Sequence, residues 1–297
     1  MTTSFAIGDI RLERIDEMSG PAIDARYLLP GLPDDAIERN LEWLAPTFLE
    51  ADTEKLVLSL HGWVVRTGRH TVLVEACGGN HKNRPEYPRV HELETPWLDR
   101  LRAAGVSPEE IDYVFCSHLH VDHIGWFTAM DSGAWTPTFP NAKYLIHRRE
   151  YDNWNPETRT LPPLALQGSC WDDSVAPVVA AGQAVMVEDG HEIDDALTIE
   201  ASFGHTLGHC SVRATSRNET GIFCGDIMHS PLEMAYPDVN TYACEDQDAA
   251  RATRRKLLEE AAEFGHALMP AHFPDPYSIC RVARDGDAFA VRRFEDG

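Results

Sequence analysis

Apolar positions along the chain gather in short runs, none long. "SFAIGDIRL" (4–12), "KLVLSLHGWVVRT" (55–67), "HTVLVEA" (70–76), "YVFCSH" (113–118), "KYLIH" (143–147) and "AVMV" (184–187) are solid or alternating in apolar character, as strands are. In the second half "LTIEAS" (197–202), "CSVRAT" (210–215), "GIFCGD" (221–226), "ALMPAH" (267–272) and "AFAVRRF" (288–294) read the same way. Helical periodicity predicts helices over 34–50, 94–104 and 246–265, the last placing Leu257, Leu258, Ala261, Ala262 and Phe264 on one side. Helices interspersed with strands in both halves predict a layered α/β architecture. No Pro/Gly/Ser-rich linker, low-complexity tract or internal repeat divides residues 1–297, so one domain is expected.

Several of these strands end in potential metal ligands. "SHLHVDHIG" (117–125) leaves the strand "YVFCS" with His118 and His120 two residues apart on an extended chain, hence on one side. Asp122 and His123 follow where Ile124 and Gly125 turn the chain, so they can face the same space from the opposite flank. Four ligand-type side chains around one space suit two divalent ions. A lone histidine at such a place would be a polar turn satisfied by water; the company further along argues otherwise. "FGHTLGHCS" carries His205 and His209 in a glycine-bracketed loop, "IFCGD" ends in Asp226, and "LMPAHF" brings His272, each where a strand leaves a sheet.

In this order "HLHVDH", "GHTLGH", "GD" and "AH" resemble the metallo-β-lactamase-fold hydrolase superfamily over residues from about 56 to 273. Upstream, "VVRTGRHTVLVEACGGN" is similar to the family's hairpin ending in Asp-x-Gly, with Glu75, Ala76 and Cys77 preceding Gly78 here. The resemblance implies a four-layer αββα sandwich with the site along one edge of the paired sheets. It implies His118, His120 and His209 as ligands of a first metal, Asp122, His123 and His272 as ligands of a second, and Asp226 as the bridge, with His205 bracing its loop from behind. Nitrogen and carboxylate donors without cysteine suit two zinc ions, and also manganese, cobalt or iron. Two ions about 3.5 to 4 Å apart bring the pKa of a shared water near neutrality, which implies hydrolysis by hydroxide, with Asp122 in the catalytic set.

Quorum-quenching lactonases and methyl-parathion-hydrolase-like enzymes are the nearest look-alikes within that superfamily. The expected substrate is a small neutral ester or lactone; phosphotriesters and amides are the alternative, and a mononuclear-iron sulfur dioxygenase is a more distant one. In lactonases of this fold a tyrosine commonly stands three positions after the bridging aspartate; here that position is His229, a candidate donor to the substrate or leaving group. Trp126, Phe127, Trp154 and Met228, with Tyr151 and Trp171 in segment 148–181 and Trp43 and Phe48 on the helix expected over 34–50, are candidates for an aromatic mouth over the metals. Segment 148–181, proline-rich around "PETRTLPPLALQG", reads as a lid or as the arm of a homodimer.

Charge narrows the partners. Twenty-six Lys plus Arg against 48 Asp plus Glu give a net charge of −22, a field that disfavours nucleic acid and anionic lipid surfaces. The seven cysteines form no CxxC pair, no run of about 18 apolar residues occurs, and the first residues lack a signal-peptide pattern. A cytoplasmic protein with no membrane or nucleic-acid partner is therefore expected.

Overall fold

The computed structural model describes residues 4–159, 167–168 and 170–294. The first sheet starts with β1 (Ser4–Ile7), β2 (Ile10–Asp24), β3 (Leu49–Glu50), β4 (Lys55–Arg66), β5 (Thr71–Val74) and β6 (Tyr113–Phe115). A separate hairpin of β7 (Thr128–Asp131) and β8 (Ala134–Pro137) intervenes before β9 (Lys143–His147) and β10 (Ala184–Val187) complete it. Its order is β1-β2-β4-β5-β6-β9-β10, with β3 added to β4. Pairing is antiparallel up to β5 and parallel from β5 through β10. The second sheet runs in chain order through β11 (His191–Asp194), β12 (Leu197–Ala201), β13 (Cys210–Ser216), β14 (Glu219–Gly225), β15 (Ala267–Pro270), β16 (Cys280–Asp285) and β17 (Ala288–Arg293).

Strand alternation sorts the apolar residues into three interfaces. Trp63, Val65, Val72, Val74, Phe115 and Leu145 of the first sheet meet Ile199, Val212, Ala214, Phe223 and Met269 of the second. The opposite side chains of those first-sheet strands, Val64, Leu73, Val114, Tyr144 and Ile146, pack with Trp97 and Leu101 of α3 (Trp97–Ala103), which follows α1 (Ala25–Leu28) and α2 (Ala36–Leu44), and with Val178 of a later helix. Strands buried on both faces read as solid apolar runs, which is why they were legible. Outside the second sheet, Leu257, Leu258 and Ala261 pack with Ile222, Leu268 and Val282. Helix, sheet, sheet and helix layers follow, the αββα sandwich.

The remaining helices are short: Ala25–Leu28, Ala36–Leu44, Arg148–Trp154, Ala176–Ala180 and Leu232–Ala235. The exception, Gln247–Phe264, supplies the crossover that the parallel pair β14–β15 requires. Its N-cap Asp246 accepts the Ala249 N–H, and Gly265 ends it at φ 68°. Arg254, buried on this helix, donates to the carbonyls of Ile227 and Val239 and pairs with Glu233 at 3.0 Å, bolting down the loop after β14.

The helix expected over 34–50 ends at Leu44, where Pro46, lacking an N–H, stops the ladder and the chain extends into β3. Residues 148–159 and 170–181 are built into the first sheet's outer layer through Trp154, Cys170, Val175 and Val178. The central part of the expected lid or dimer arm, 160–166 with 169, lies outside the described residues. Among the described residues, no helix is long and apolar enough to cross a membrane.

Candidate metal centre

The ligand-type residues and Glu75 stand just after the ends of β5, β6, β12, β14 and β15, along one rim of the paired sheets. Backbone bonds from Glu75 N–H to Phe115 O (2.9 Å) and Ala76 N–H to His123 O (2.7 Å) tie the 117–124 loop to the end of β5. Gly125 then passes so close to Gly78 that a Cβ on it would lie 1.8 Å from Gly78 O, a turn only glycine can make. Three of the imidazoles are oriented through Nδ1. Ser117 Oγ lies 3.0 Å from that of His118, Glu75 Oε2 lies 2.8 Å from that of His123, and His272 Nδ1–H donates to Ser59 O at 3.1 Å. Glu75 thus does for His123 what carboxylates behind metal-bound histidines do elsewhere: it fixes the tautomer and ring and leaves Nε2 for a ligand.

These Nε2 atoms converge on Asp226. Its Oδ1 lies 3.3 Å from His123 Nε2 and 3.2 Å from His272 Nε2; its Oδ2 lies 3.4 Å from His205 Nε2 and 3.8 Å from His118 Nε2. Asp122 closes the first of these groups, 3.9 Å from both His123 and His272. Metal bonds near 2.0–2.1 Å in tetrahedral array set donor atoms roughly 3.4 Å apart. His118, His120, His205 and Asp226 therefore have the spacing to hold one ion, and Asp122, His123 and His272 another. The buried atoms His118 Nε2, His123 Nε2 and Asp226 Oδ1 have no hydrogen-bond partner, as inward-facing metal donors require.

Within "GHTLGH" the structure places the two histidines otherwise than expected. His205, expected behind the loop, is the one whose Nε2 enters the cluster, 3.1 Å from His120 Nδ1. His209, expected as a first-metal ligand, has both nitrogens engaged elsewhere. Its Nε2 accepts the Asp226 N–H at 3.1 Å, and its Nδ1 faces Ser202 Oγ at 2.8 Å and Ser202 O at 3.1 Å. The cause is backbone pairing: Ser202 N–H bonds His209 O and Cys210 N–H bonds Ser117 O, which draws His209 under the loop and leaves His205 at its tip.

Electrostatics favour the ligating forms of His118, His120, His205 and Asp226. Burial pulls His118 and His205 well below the usual imidazole range and His120 to about 3, so each is neutral with a lone pair to give. Burial alone would raise Asp226, but the imidazoles of His272, His123 and His229 hold it well below the usual carboxylate range. Burial would also lower His123, yet Asp226 and Glu75 outweigh it and raise the ring well above its ordinary value. Metal uptake would displace that proton.

A cavity of about 250 Å³ opens on the cluster. Asp122, Asp226, His229 and His272 form its floor, and Ile23, Tyr27, Leu28, Leu58, Tyr87 and Tyr242 its walls. The Tyr87 hydroxyl donates to Asp122 Oδ2 at 3.4 Å, and Tyr242 meets Tyr27 edge to face at 5.1 Å. His229 stands on the floor with Nε2 3.0 Å from Asp226 Oδ2, its ring stacked on His272. Glu233 accepts the His229 N–H at 2.6 Å from behind.

None of the residues expected at an aromatic mouth lines this cavity. Trp126 stacks on Trp97 in the core and donates Nε1–H to Glu17 at 2.7 Å, and Phe127 is fully buried beside Tyr144. Met228 is fully buried beneath the second sheet's helices. Trp154 sits edge-on against His120, on the far side from the cavity. Tyr151 and Trp171 pack on each other, and Trp43 and Phe48 line a different groove with Tyr277 and Phe289. Instead the walls come from β2, the helix after it and the loops at 86–87 and 242–243, where isolated tyrosines in polar surroundings gave no periodic signal.

Fold and centre together define a metal-binding αββα protein with two adjoining ligand groups. Residues 61–272 match the metallo-beta-lactamase superfamily, and the chain belongs to that family. Among relatives, it is 30% identical over 101 residues to the N-acyl homoserine lactonase AttM of Rhizobium radiobacter, 30% of this chain and 34% of that one. To AttM of Agrobacterium fabrum it is 36% identical over 95 residues, 28% and 32% of the two chains. The matches thus span about a third of those relatives' length. Among solved structures, the hydrolase AbOPH of the beta lactamase superfamily superposes with a TM-score of 0.82 at 19% identity, over 99% of this chain and 97% of that one. The dizinc quorum-quenching lactonase AidC gives 0.78 at 20% identity, with the same coverage.

Proposed function

We propose that the protein is a dinuclear metal-dependent hydrolase of small neutral esters or lactones. The observation that carries this reading is Asp226, whose Oδ1 faces His123 and His272 of one ligand group and whose Oδ2 faces His118 and His205 of the other, at 3.2–3.8 Å. His118, His120 and His205 would hold one ion, Asp122, His123 and His272 the other, with Asp226 between them. Donors of nitrogen and carboxylate oxygen favour zinc and admit manganese, cobalt or iron. Two such ions supply a water made nucleophilic near neutral pH and a Lewis acid for the scissile oxygen.

The chain's own residues do the rest. Glu75, Ser59 and Ser117 fix the ligand rings. Tyr87 steadies Asp122 through its hydroxyl. His229, on the cavity floor and held by Glu233, donates a proton or hydrogen bond to the substrate's leaving oxygen. Ile23, Leu28 and Leu58 exclude water from one side of the bound group. The lactonase activity that the AttM relatives and AidC carry in their names supports a cyclic ester as the first substrate to try.

The test is a hydrolysis screen of the metal-loaded protein over lactones, aryl esters, phosphotriesters and β-lactams, repeated after chelation. Lactones or aryl esters should give the highest kcat/KM, and chelation should abolish turnover. Turnover that survives complete metal removal, or no turnover on any member, contradicts the proposal; a preference for phosphotriesters keeps the metal centre and changes the substrate.

A further inference from the structure

Two loops supply the proposed first-metal ligands, 117–124 with His118 and His120 and 202–209 with His205. One backbone hydrogen bond joins them, Cys210 N–H to Ser117 O at 2.9 Å, below the ligands. At ligand level they are joined by a side chain belonging to neither. Glu150, 2% exposed on the helix Arg148–Trp154, accepts the Leu119 N–H at Oε1 (2.9 Å). Its Oε2 accepts the Thr206 hydroxyl (2.7 Å) and the Gly208 N–H (3.1 Å). Each oxygen of one carboxylate therefore holds one loop, at residues directly between or beside the proposed ligands.

The surroundings leave the carboxylate little freedom. A Cβ on Gly208 would lie 2.1 Å from Glu150 N, so the second loop rests on the helix backbone itself. One turn along, Trp154 packs edge-on against His120. Burial pushes the Glu150 carboxyl up to about 7 although three donors favour its charged form. Burial thus works against the charged form while the three donors work for it.

We infer that Glu150 is a positioning residue that sets the two ligand loops in register, so that His118, His120 and His205 converge on one ion. The inference rests on the metal-centre reading above. It concerns affinity for metal rather than the hydrolytic step.

The experiment is a zinc titration of chelator-stripped full-length protein against a competing chromophoric chelator. It compares wild type, Glu150→Gln and Thr206→Val, each also in an Asp122→Ala background whose remaining equivalent reports the first site. A glutamine keeps size and one acceptor but turns an N–H₂ toward the Thr206 and Gly208 donors. First-site affinity should fall about 10- to 100-fold in Glu150→Gln and less in Thr206→Val, while second-site affinity changes by no more than about threefold. The double variant should lose little more than Glu150→Gln alone, since both act on one contact. If Glu150→Gln lowers the melting temperature yet binds zinc at 20 °C with wild-type affinity, Glu150 braces the fold only and the inference is overturned. Should Glu150→Gln fail to fold, Thr206→Val decides: weaker first-site binding supports the inference and unchanged binding overturns it. A wild-type protein that takes up no zinc overturns the metal-centre reading together with this one.

Discussion

Asp226 lies among five imidazoles, those of His118, His123, His205, His229 and His272, each within 3.8 Å of one of its oxygens. That arrangement makes the role of each histidine separable by substitution. His205→Ala should reduce bound zinc to about one equivalent per chain, whereas His209→Ala should retain close to two and lower stability by about 1–3 kcal/mol through the unpaired Asp226 N–H. Metal analysis beside thermal melts reads both, and the opposite pattern would restore His209 as the ligand. His229→Ala should lower kcat about ten- to a thousandfold, roughly 1.4 to 4 kcal/mol, at unchanged metal content. Unchanged kcat would leave leaving-group protonation to another group. At this scale "HLHVDH", Asp226 and His272 were legible because ligand-type residues at strand exits have few other reasons to cluster. The choice between His205 and His209 was not, since both sit in one glycine-bracketed loop and the backbone bonds that turn His209 away, Ser202 N–H to His209 O and Cys210 N–H to Ser117 O, arise only from the folded pairing. Glu75 was visible only as a departure from Asp-x-Gly, its partner His123 lying 48 positions away.

At the scale of elements, the site is held by packing the sequence disguised. Trp126 follows the metal loop directly and looks like a substrate contact, yet its stack on Trp97 and its bond to Glu17 fasten that loop to α3 and β2. Trp126→Ala should therefore cost about 3–5 kcal/mol in denaturant unfolding with KM unchanged in the protein that remains folded. A raised KM at unaltered stability would return it to the substrate mouth. The helix carrying Glu150 makes a pH prediction. The carboxyl is raised by burial from 4.5 to about 7, so the folded state holds the proton more tightly than the unfolded chain. In metal-free protein its contribution to stability should fall as pH rises from about 4.5 to 7, by up to about 3 kcal/mol, and be level above that window. Glu150→Gln should lack this slope in urea unfolding followed across pH, and an identical slope in both proteins would contradict it. Strands buried on both faces announced themselves as apolar runs. The hairpin β7–β8 did not, being short and largely open to solvent, and the second half of β2 carries Gly20 and Pro21, which read as breaks although the strand continues through them.

For the whole molecule, two sheets meeting along a common rim gather residues from 118 to 272 around one centre, so the fold creates the site that no single segment contains. The net charge of −22 sets the field around it and favours neutral over anionic substrates, while the ions would offset the carboxylates Asp122, Asp226 and Glu75 locally. The cavity walls are drawn from β2, β4, the helix Ala25–Leu28 and the loops near 87 and 242, outside the ligand motifs, so in the proposed reaction substrate choice would fall to those segments. If two ions share Asp226 as proposed, calorimetric titration of chelator-stripped protein with zinc should show two equivalents per chain, falling to about one in His205→Ala; a single equivalent in the wild type, or none, would rule the shared site out.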